Sequence, residues 1–198
     1  MSTDVQLWLV RHGETEWSRD GRHTGRSDLP LTSRGRDQAK RLSTPLARAD
    51  FQQVWSSPLT RAEQTAILAG FGNRLHLDDD LCEWDYGEYE GRTTKSIRRD
   101  EPAFDIWTVA IARGESLQQV AARAERVIQR ALTAGGCSLL FAHGHLLRIL
   151  AARWLGLAPD GGRLLSLDAA RISILGHEHH TRVIQVWNQA ATPDDLLS

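Results

Sequence analysis

Residues 6–18 read QLWLVRHGETEWS, and the rest of the chain is organised around them. Residues 5–10 are a short apolar run with β-branched members, the pattern of a strand buried on both faces. Arg11 and His12 follow directly, so we expect both at the carboxyl end of a buried strand, the edge where open α/β sheets bind ligands. Gly13 permits a sharp turn and the close approach of a ligand. The stretch therefore predicts a crevice that presents a cation and an imidazole to an anionic group.

A second stretch repeats this pattern. Residues 137–142 read CSLLFA, a second apolar strand that ends in His143-Gly144-His145 and leads into a predicted helix up to residue 155. Thr32 and Ser116 are good caps for two further helices, the second with Gln119 at the capping-box position. Apart from these two apolar strands and the helix up to residue 155, helices are predicted over 32–49, 59–69, 93–99 and 116–132. Strands are predicted over 51–55, 75–77, 164–167, 171–175 and 182–187.

Strands that alternate with helices predict an α/β fold in three layers, α/β/α, with a mostly parallel sheet. The last strands predict an antiparallel hairpin at one edge of that sheet. We expect a single domain over 1–198, because no composition shift or low-complexity linker divides the chain. The acidic run 78–80 is predicted to be a solvated loop, and the polar tail from Ala190 is predicted to fray.

The bulk properties argue against several classes of protein. The formal net charge of −1 over 198 residues, with both signs interspersed, gives no reason to expect binding to nucleic acid or a membrane surface. No segment has transmembrane length, and the chain starts without an apolar leader. Cys82 and Cys137 are too few for a disulfide framework and lack metal-site spacing, so we expect a reduced, cytoplasmic protein. The oligomeric state is left open, a homodimer included.

Four separate segments carry the groups that phosphoryl transfer needs. Hydrolysis of a phosphate ester is among the slowest uncatalysed reactions, so a site must lower a large barrier. A neutral imidazole can attack phosphorus, fixed cations can stabilise the phosphoryl oxygens, and an acid can protonate the departing alkoxide. The residues of the chain that fit these tasks are Arg11 with His12, Arg61, Glu83 and His143.

The motifs around these residues resemble those of the histidine phosphatase (phosphoglycerate mutase-like) superfamily. They occur in the family's order and cover most of the chain: RHGE (11–14), HTGRSDLPLTSRG (23–35), SSPLTRAEQTA (56–66), DLCEWDYGEYEG (80–91) and FAHGH (141–145). The resemblance implies that His12 is transiently phosphorylated, and that Arg11, Arg61 and His143 form a phosphate pocket. It also implies that Glu83 is the proton donor and that no cofactor or metal is needed.

Further residues are candidates for contacts with a small phosphorylated substrate. Ser18 stands where many relatives carry Asn, and the backbone N–H of Gly144 lies at a helix start that suits an anion. The full set of substrate-binding candidates is Ser18, Thr24, Gly25, Tyr86, Gly144 and Arg22. Candidates for a second anionic group of the substrate are Arg22, Arg26, Lys95, Arg98 and Arg99, whose alternative is an ordinary solvated surface.

Several alternatives stay open at these positions. The acid near residue 83 could instead be Asp85, Glu88 or Glu90. The run 176–180, GHEHH, could suggest a metal site, but we interpret it as a hairpin turn whose alternate residues face apart. Cys82 beside Glu83 could be a redox switch, but we interpret it as a plain buried thiol.

The choice of reaction rests on the same resemblance. Trp84 stands where mutases of the superfamily usually carry an arginine, and the interval 84–142 holds little beyond two helical stretches, so we favour a phosphatase open to water. EWDYGEYEG (83–91), FDIWTVAIARGES (104–116) and FAHGHLLRILAARWLGL (141–157) look like enzymes of the sedoheptulose-1,7-bisphosphatase type. This resemblance implies a sugar bisphosphate as substrate. The alternatives are a mutase-type phosphotransferase and a phosphate-binding regulatory module without turnover.

Overall fold

The computed structural model describes residues 5–191. Its sheet has six strands in the spatial order β3-β2-β4-β1-β5-β6. The first four strands run parallel, while β5 pairs antiparallel with β1, and β6 pairs antiparallel with β5. The strands are β1 (Gln6–Arg11), β2 (Gln53–Ser56), β3 (His76–Leu77), β4 (Cys137–Ala142), β5 (Ile172–Glu178) and β6 (Thr181–Gln189). The predicted mostly parallel sheet with an antiparallel hairpin at its edge is confirmed.

Helices cover both faces of this sheet. They are α1 (Glu16–Arg19), α2 (Ser33–Arg41), α3 (Ser43–Leu46), α4 (Thr60–Leu68), α5 (Thr94–Asp100), α6 (Leu117–Ala134) and α7 (Gly144–Trp154). Alternate residues of the central strands face opposite layers, as the strand period of two requires. Leu7 and Leu9 join the core beneath α6 and α7, whereas Val10 joins the core beneath α3 and α4. The predicted three-layer arrangement is confirmed. No helix within residues 5–191 is both long and apolar enough to cross a membrane.

The helix caps predicted from the sequence are present. The Thr32 side chain accepts from the Gly35 N–H at the start of α2. At the start of α6, Ser116 and Gln119 form a complete capping box. These caps satisfy backbone donors that a helix start leaves unpaired, so they fix where the two helices begin.

Three predicted elements are wrong. The helix over 32–49 is split into α2 and α3, because Pro45 has no N–H to bond the carbonyl of Arg41. The strand over 164–167 is absent: a 3₁₀ helix ends at Leu164, and the following segment bonds to β6 through side chains, with the Asp168 N–H donating to Asn188. The acidic run 78–80 is not a solvated loop, because the carboxylates of Asp78 and Asp80 pair with arginines of α6.

Those ion pairs tie α6 to the sheet edge. Asp80 accepts from Arg126 and Arg130, and Asp78 accepts from Arg130. Partial burial acts to raise the pKa of Asp80, but the hydrogen bonds and charges of Arg126 and Arg130 together outweigh it and lower this pKa. The predicted fraying tail falls mostly outside the described residues.

Gly13 makes a close backbone contact that the sequence does not show. A Cβ at this position would lie 2.4 Å from the carbonyl oxygen of Gly35, so the turn after β1 packs directly on the backbone of α2. We therefore expect Gly13→Ala to destabilise the fold by about 2–3 kcal/mol through overpacking. Gly72→Ala is the matched control, because its Cβ would meet Ile67 at ordinary contact distances of 3.4 Å or more. Urea denaturation of both variants tests this, and equal free energies of unfolding would contradict it.

Candidate active site

The turns after β1 and β4 bring two histidines together. The two strands are parallel neighbours with Arg11 opposite Ala142, so the next residues, His12 and His143, lie side by side. Their ring centroids are 5.2 Å apart. The repeated pattern of strand, histidine and glycine in the sequence thus builds one site at the carboxyl edge of the sheet.

His12 is held as a neutral ring with one nitrogen free to react. It is 4% exposed, and its Nδ1 lies 2.7 Å from the carbonyl oxygen of Gly13. A carbonyl only accepts, so Nδ1 carries the proton and Nε2 keeps its lone pair. Burial, and then the charges of Arg61 and Arg11, hold the pKa of His12 well below its usual value. The neutral ring therefore presents a lone pair at Nε2, which is the form of imidazole that can attack phosphorus.

Arg11 offers an unused donor to the same place. Its Nη1 donates to the carbonyl of Leu167, in the segment where the predicted strand is missing. Its buried Nε has no hydrogen-bond partner within residues 5–191. A Cβ added to Gly144 would meet this guanidinium at 3.4 Å, so the group packs over the start of α7. A buried donor without a partner costs stability, and an anion here would satisfy it.

Arg61 lies fully buried in the first turn of α4, within the helix that the sequence predicts over 59–69. Its Nε donates to His143 Nδ1 at 3.1 Å. The other head nitrogens donate to backbone carbonyls of the loop that follows α1: Ser27 at 2.9 Å, Thr24 at 3.1 Å and Gly25 at 2.8 Å. Four of its five N–H groups are thus used within the protein, which fixes the position of the guanidinium.

Two carboxylates hold this loop against Arg61. Asp28 accepts from the Thr60 N–H at 2.8 Å and its hydroxyl at 2.6 Å. Glu90 accepts from the Ser27 hydroxyl at 2.7 Å and the Arg26 N–H at 2.9 Å. The loop and the arginine therefore hold each other in one geometry.

His143 lies behind His12 rather than on the open surface. Its Nδ1 accepts from Arg61, and its Nε2 lies 2.8 Å from the Ser57 hydroxyl. Burial, and then Arg61 and His12, hold its pKa well below the usual value, so the ring is neutral. Both nitrogens are engaged by the protein.

Glu83 is the acid that the structure places in the cleft. Its carboxyl oxygens accept from the N–H groups of His145 at 3.0 Å and Leu146 at 2.9 Å, at the start of α7, and from Trp84 at 3.0 Å. The alternative acids are used elsewhere. Asp85 accepts from Gly87, Glu88 pairs with Arg113 at the surface, and Glu90 holds the loop described above.

Arg11, His12 and Glu83 border a cleft of about 260 Å³, whereas Arg61 and His143 lie outside its lining. Among the substrate-binding candidates, Ser18, Arg22, Thr24, Tyr86 and Gly144 line it together with Arg11, His12 and Glu83. The Ser18 hydroxyl donates to the Thr15 carbonyl, so it takes part in the cap at the start of α1. Gly25 does not line the cleft, because it packs under Glu90 and Trp84 and gives its carbonyl to Arg61.

Part of the cleft wall was not predicted from the sequence. His23, Thr94, His145, Arg148 and Leu167 also line it. Tyr86 and His145 share a hydrogen bond of 2.6 Å, and the His23 ring lies 4.9 Å from that of Tyr86. Burial and Arg148 hold the pKa of His145 well below its usual value, so this wall is polar and neutral apart from the arginine. The HGH spacing was the one signal that could have identified His145.

Most of the arginines and the lysine proposed for a second anionic group lie elsewhere. Arg26 pairs with Glu115 at 3.6 Å, and Arg98 donates to the carbonyl of Phe104. Lys95 and Arg99 are exposed and do not line the cleft. Arg22 and Arg148 are the additional cations that do line it.

The remaining alternatives have simple structural explanations. His179 and His180 form the two-residue turn between β5 and β6, and the His177 ring packs on Trp154 at 5.2 Å. Across the described part of the chain, no three histidine, cysteine or acidic side chains are grouped as metal ligands would be. Cys82 is buried and free, and burial raises the pKa of its thiol.

The buried histidines predict a loss of stability toward acid. The pKa of His12, His143 and His145 is lowered in the fold, whereas it is about 6.5 in the unfolded chain. Below that pH the unfolded chain binds protons that the folded protein does not, so the free energy of unfolding falls as the pH falls. Each of these histidines contributes up to about 1.4 kcal/mol per pH unit to the slope of the free energy of unfolding against pH.

Urea denaturation between pH 7.5 and 5.0 measures this slope. Carboxylates with a lowered pKa, such as Asp80 and Glu115, change the free energy of unfolding mainly near pH 4 and below, outside this pH range. His145→Gln should reduce the slope, whereas His180→Gln, at the exposed hairpin turn, should leave it unchanged. A free energy of unfolding that is constant over this range would contradict the prediction.

Comparison with known proteins defines the class. Residues 7–190 match the histidine phosphatase superfamily (branch 1). The chain belongs to this superfamily, which confirms the family and the type of enzyme predicted from its motifs.

Relatives agree with this assignment. The chain is 38% identical to an acid phosphatase of Mycobacterium tuberculosis over 98% of this chain and 97% of the relative. It is 37% identical to sedoheptulose 1,7-bisphosphatase of Saccharomyces cerevisiae, over 75% of this chain and 67% of that protein. The solved structure of the product of open reading frame Rv3214 of M. tuberculosis superposes with a TM-score of 0.88 at 38% identity, covering 96% of this chain and 100% of the other.

Proposed function

We propose that this protein hydrolyses phosphate monoesters of small metabolites through a phosphohistidine at His12. One observation carries the proposal: a neutral imidazole with a free Nε2 borders the same cleft as Arg11, whose buried Nε lacks a partner within residues 5–191. A phosphoryl group bound there would satisfy the guanidinium and meet the nucleophile.

The reaction proceeds in two steps. In the first, the His12 Nε2 lone pair forms a bond to phosphorus as the ester P–O bond breaks, and protonated Glu83 gives its proton to the departing alkoxide. In the second, Glu83 as carboxylate takes a proton from water. The water oxygen bonds to phosphorus, the N–P bond breaks, and inorganic phosphate and neutral His12 are restored.

Fixed positive charge stabilises the phosphoryl oxygens during both steps. Arg11 supplies its Nε–H, and Arg61 retains one N–H beyond the four that it gives to the protein. The start of α7 adds the positive end of an 11-residue helix. All three are held in place before substrate arrives, which is the condition for effective electrostatic stabilisation.

The cleft favours a polar substrate with a second anionic group, such as a sugar bisphosphate of the sedoheptulose 1,7-bisphosphate type. Tyr86, His23 and His145 offer hydrogen bonds to hydroxyl groups, and Arg22 and Arg148 offer positive charge. The name of the yeast relative supports this substrate class. Trp84 is fully buried and donates to the Glu115 carbonyl, so position 84 presents no cation to a mutase substrate.

We further propose that residues 1–198 form one domain and that the protein acts in the cytoplasm. Both core clusters share the single six-stranded sheet, which supports one folding unit. The two cysteines are free thiols, which suits a reducing compartment.

Phosphate release from a panel of esters tests the function. The panel contains sugar bisphosphates, sugar monophosphates and phosphoglycerates, each with and without a chelator. We expect turnover that survives the chelator and is fastest with a sugar bisphosphate. Turnover lost in chelator would contradict the histidine route. Binding without turnover of any ester would favour a phosphate-binding module, and isomerised phosphoglycerate without phosphate release would favour a mutase.

A further inference from the structure

Arg61, His143 and Ser57 form a chain of hydrogen-bonded, buried side chains behind His12. Each member of this chain donates to the next, from Arg61 to His143 and from His143 to Ser57. The Arg61 Nε–H donates to Nδ1 of His143 at 3.1 Å, and Nε2 of His143 lies 2.8 Å from the Ser57 Oγ. A guanidinium only donates, so Nδ1 must hold a lone pair. A neutral ring then carries its proton on Nε2, and this N–H donates to Ser57.

Ser57 is held in a fixed position to accept the hydrogen bond from the Nε2–H of His143. It follows β2, and its backbone N–H donates to the Phe141 carbonyl of the neighbouring β4 at 3.0 Å. Its Oγ also accepts from the Leu59 N–H at 3.2 Å, and its own hydrogen is directed at the Cys82 Sγ, 3.9 Å away. The side chain is completely buried, so water does not compete for these bonds.

We propose that Ser57 is a positioning residue for phosphoryl transfer, because it fixes the His143 tautomer that holds Arg61 beside the phosphate site. The inference rests on the proposed function and assigns His143 the task of orienting Arg61. Ser57 acts through two other side chains, without contact to the substrate.

Without the Ser57 hydroxyl, neither neutral tautomer of His143 can satisfy all the hydrogen-bonding groups around the ring. If His143 keeps its proton on Nε2, that buried N–H loses its acceptor. If the proton moves to Nδ1, it faces the Nε–H of Arg61, and two donors oppose each other. Either state loosens the guanidinium, so we expect Ser57→Ala to lower kcat/KM by about 10- to 100-fold. The loss should fall mainly on kcat, because the proposed task of Arg61 is to stabilise charge in the transition state.

Ser56 supplies the matched control. It is also completely buried, and its hydroxyl donates to the Ser57 carbonyl at 2.8 Å without touching His143. Ser56→Ala therefore deletes the same atom from the same segment, and we expect kcat/KM close to that of the unchanged protein. Ser57→Thr keeps a hydroxyl and should recover most of the activity lost in Ser57→Ala.

The tautomer is read directly from the ¹⁵N chemical shifts of the His143 ring in the resting protein. We expect a lone pair at Nδ1 and a proton at Nε2, and we expect Ser57→Ala but not Ser56→Ala to change these shifts. A proton on Nδ1 of the unchanged protein would overturn the proposal. So would a Ser57→Ala variant with the shifts and kcat/KM of Ser56→Ala. The spectrum needs no turnover, so its result is independent of whether the protein hydrolyses any ester.

Discussion

His12→Ala should lower kcat for phosphate-ester hydrolysis by at least about 10⁴-fold. In the proposed mechanism, Nε2 of this imidazole forms the first bond to phosphorus, and the ring borders the cleft with its Nδ1 held at the Gly13 carbonyl. Substrate binding should change far less, because Arg11 and the cleft wall remain. Steady-state kinetics together with binding of inorganic phosphate separates the two effects.

The control for this variant is His76→Ala. His76 is an exposed residue of β3, at the far edge of the sheet from β1, so its loss should leave kcat unchanged. Thermal unfolding should show that His12→Ala remains folded. Hydrolysis by His12→Ala at more than a tenth of the normal rate would refute the nucleophile assignment.

Glu83→Gln should produce the second large effect, and its size should depend on the leaving group. An alkoxide needs a proton as it departs, so hydrolysis of a sugar phosphate should slow by about 10²- to 10⁴-fold. The phenolate of p-nitrophenyl phosphate leaves without a proton, so formation of the first product from this ester should be nearly normal. Rapid mixing measures the first turnover with each ester.

The contrast between the two esters also controls for damage to the site. Glu83 accepts from the start of α7, and a glutamine could disturb that contact. Such damage would slow both esters alike, whereas loss of a proton donor slows only the sugar phosphate. Glu88→Gln, an exposed acid of the same segment, should behave as the unchanged protein. Equal losses for both esters would contradict the role of Glu83.

The sequence predicted the fold because its strongest signals are local. Each central strand is an apolar run, and runs of this kind alternate with well-capped helices, which leaves a parallel sheet with two covered faces as the fitting architecture. The repeated ending of histidine and glycine also indicated where the site would lie. His12 and His143 are 131 positions apart in the chain, yet they meet because β1 and β4 are neighbours.

The features that could not be predicted from the sequence depend on contacts between segments that lie far apart in the chain. The close approach of Gly13 to Gly35 is not visible in either motif, so the sequence indicates only a sharp turn and a nearby ligand as reasons for this glycine. The segment over 164–167 has the composition of a strand, but it packs through side chains so that the Leu167 carbonyl can receive Arg11. The enclosure of Arg61 by carbonyls of residues 24, 25 and 27 likewise requires the folded loop.

The most direct measurement is to trap the phosphoryl group on the protein. Glu83→Gln is mixed with p-nitrophenyl phosphate, which should load His12 at a normal rate, while the missing carboxylate slows attack by water. The reaction is stopped in alkali, where phosphohistidine survives, and the modified residue is located by mass spectrometry. We expect one phosphoryl group, on His12 and at Nε2. Release of p-nitrophenol with an unmodified His12, or with the phosphoryl group on another residue, would contradict it.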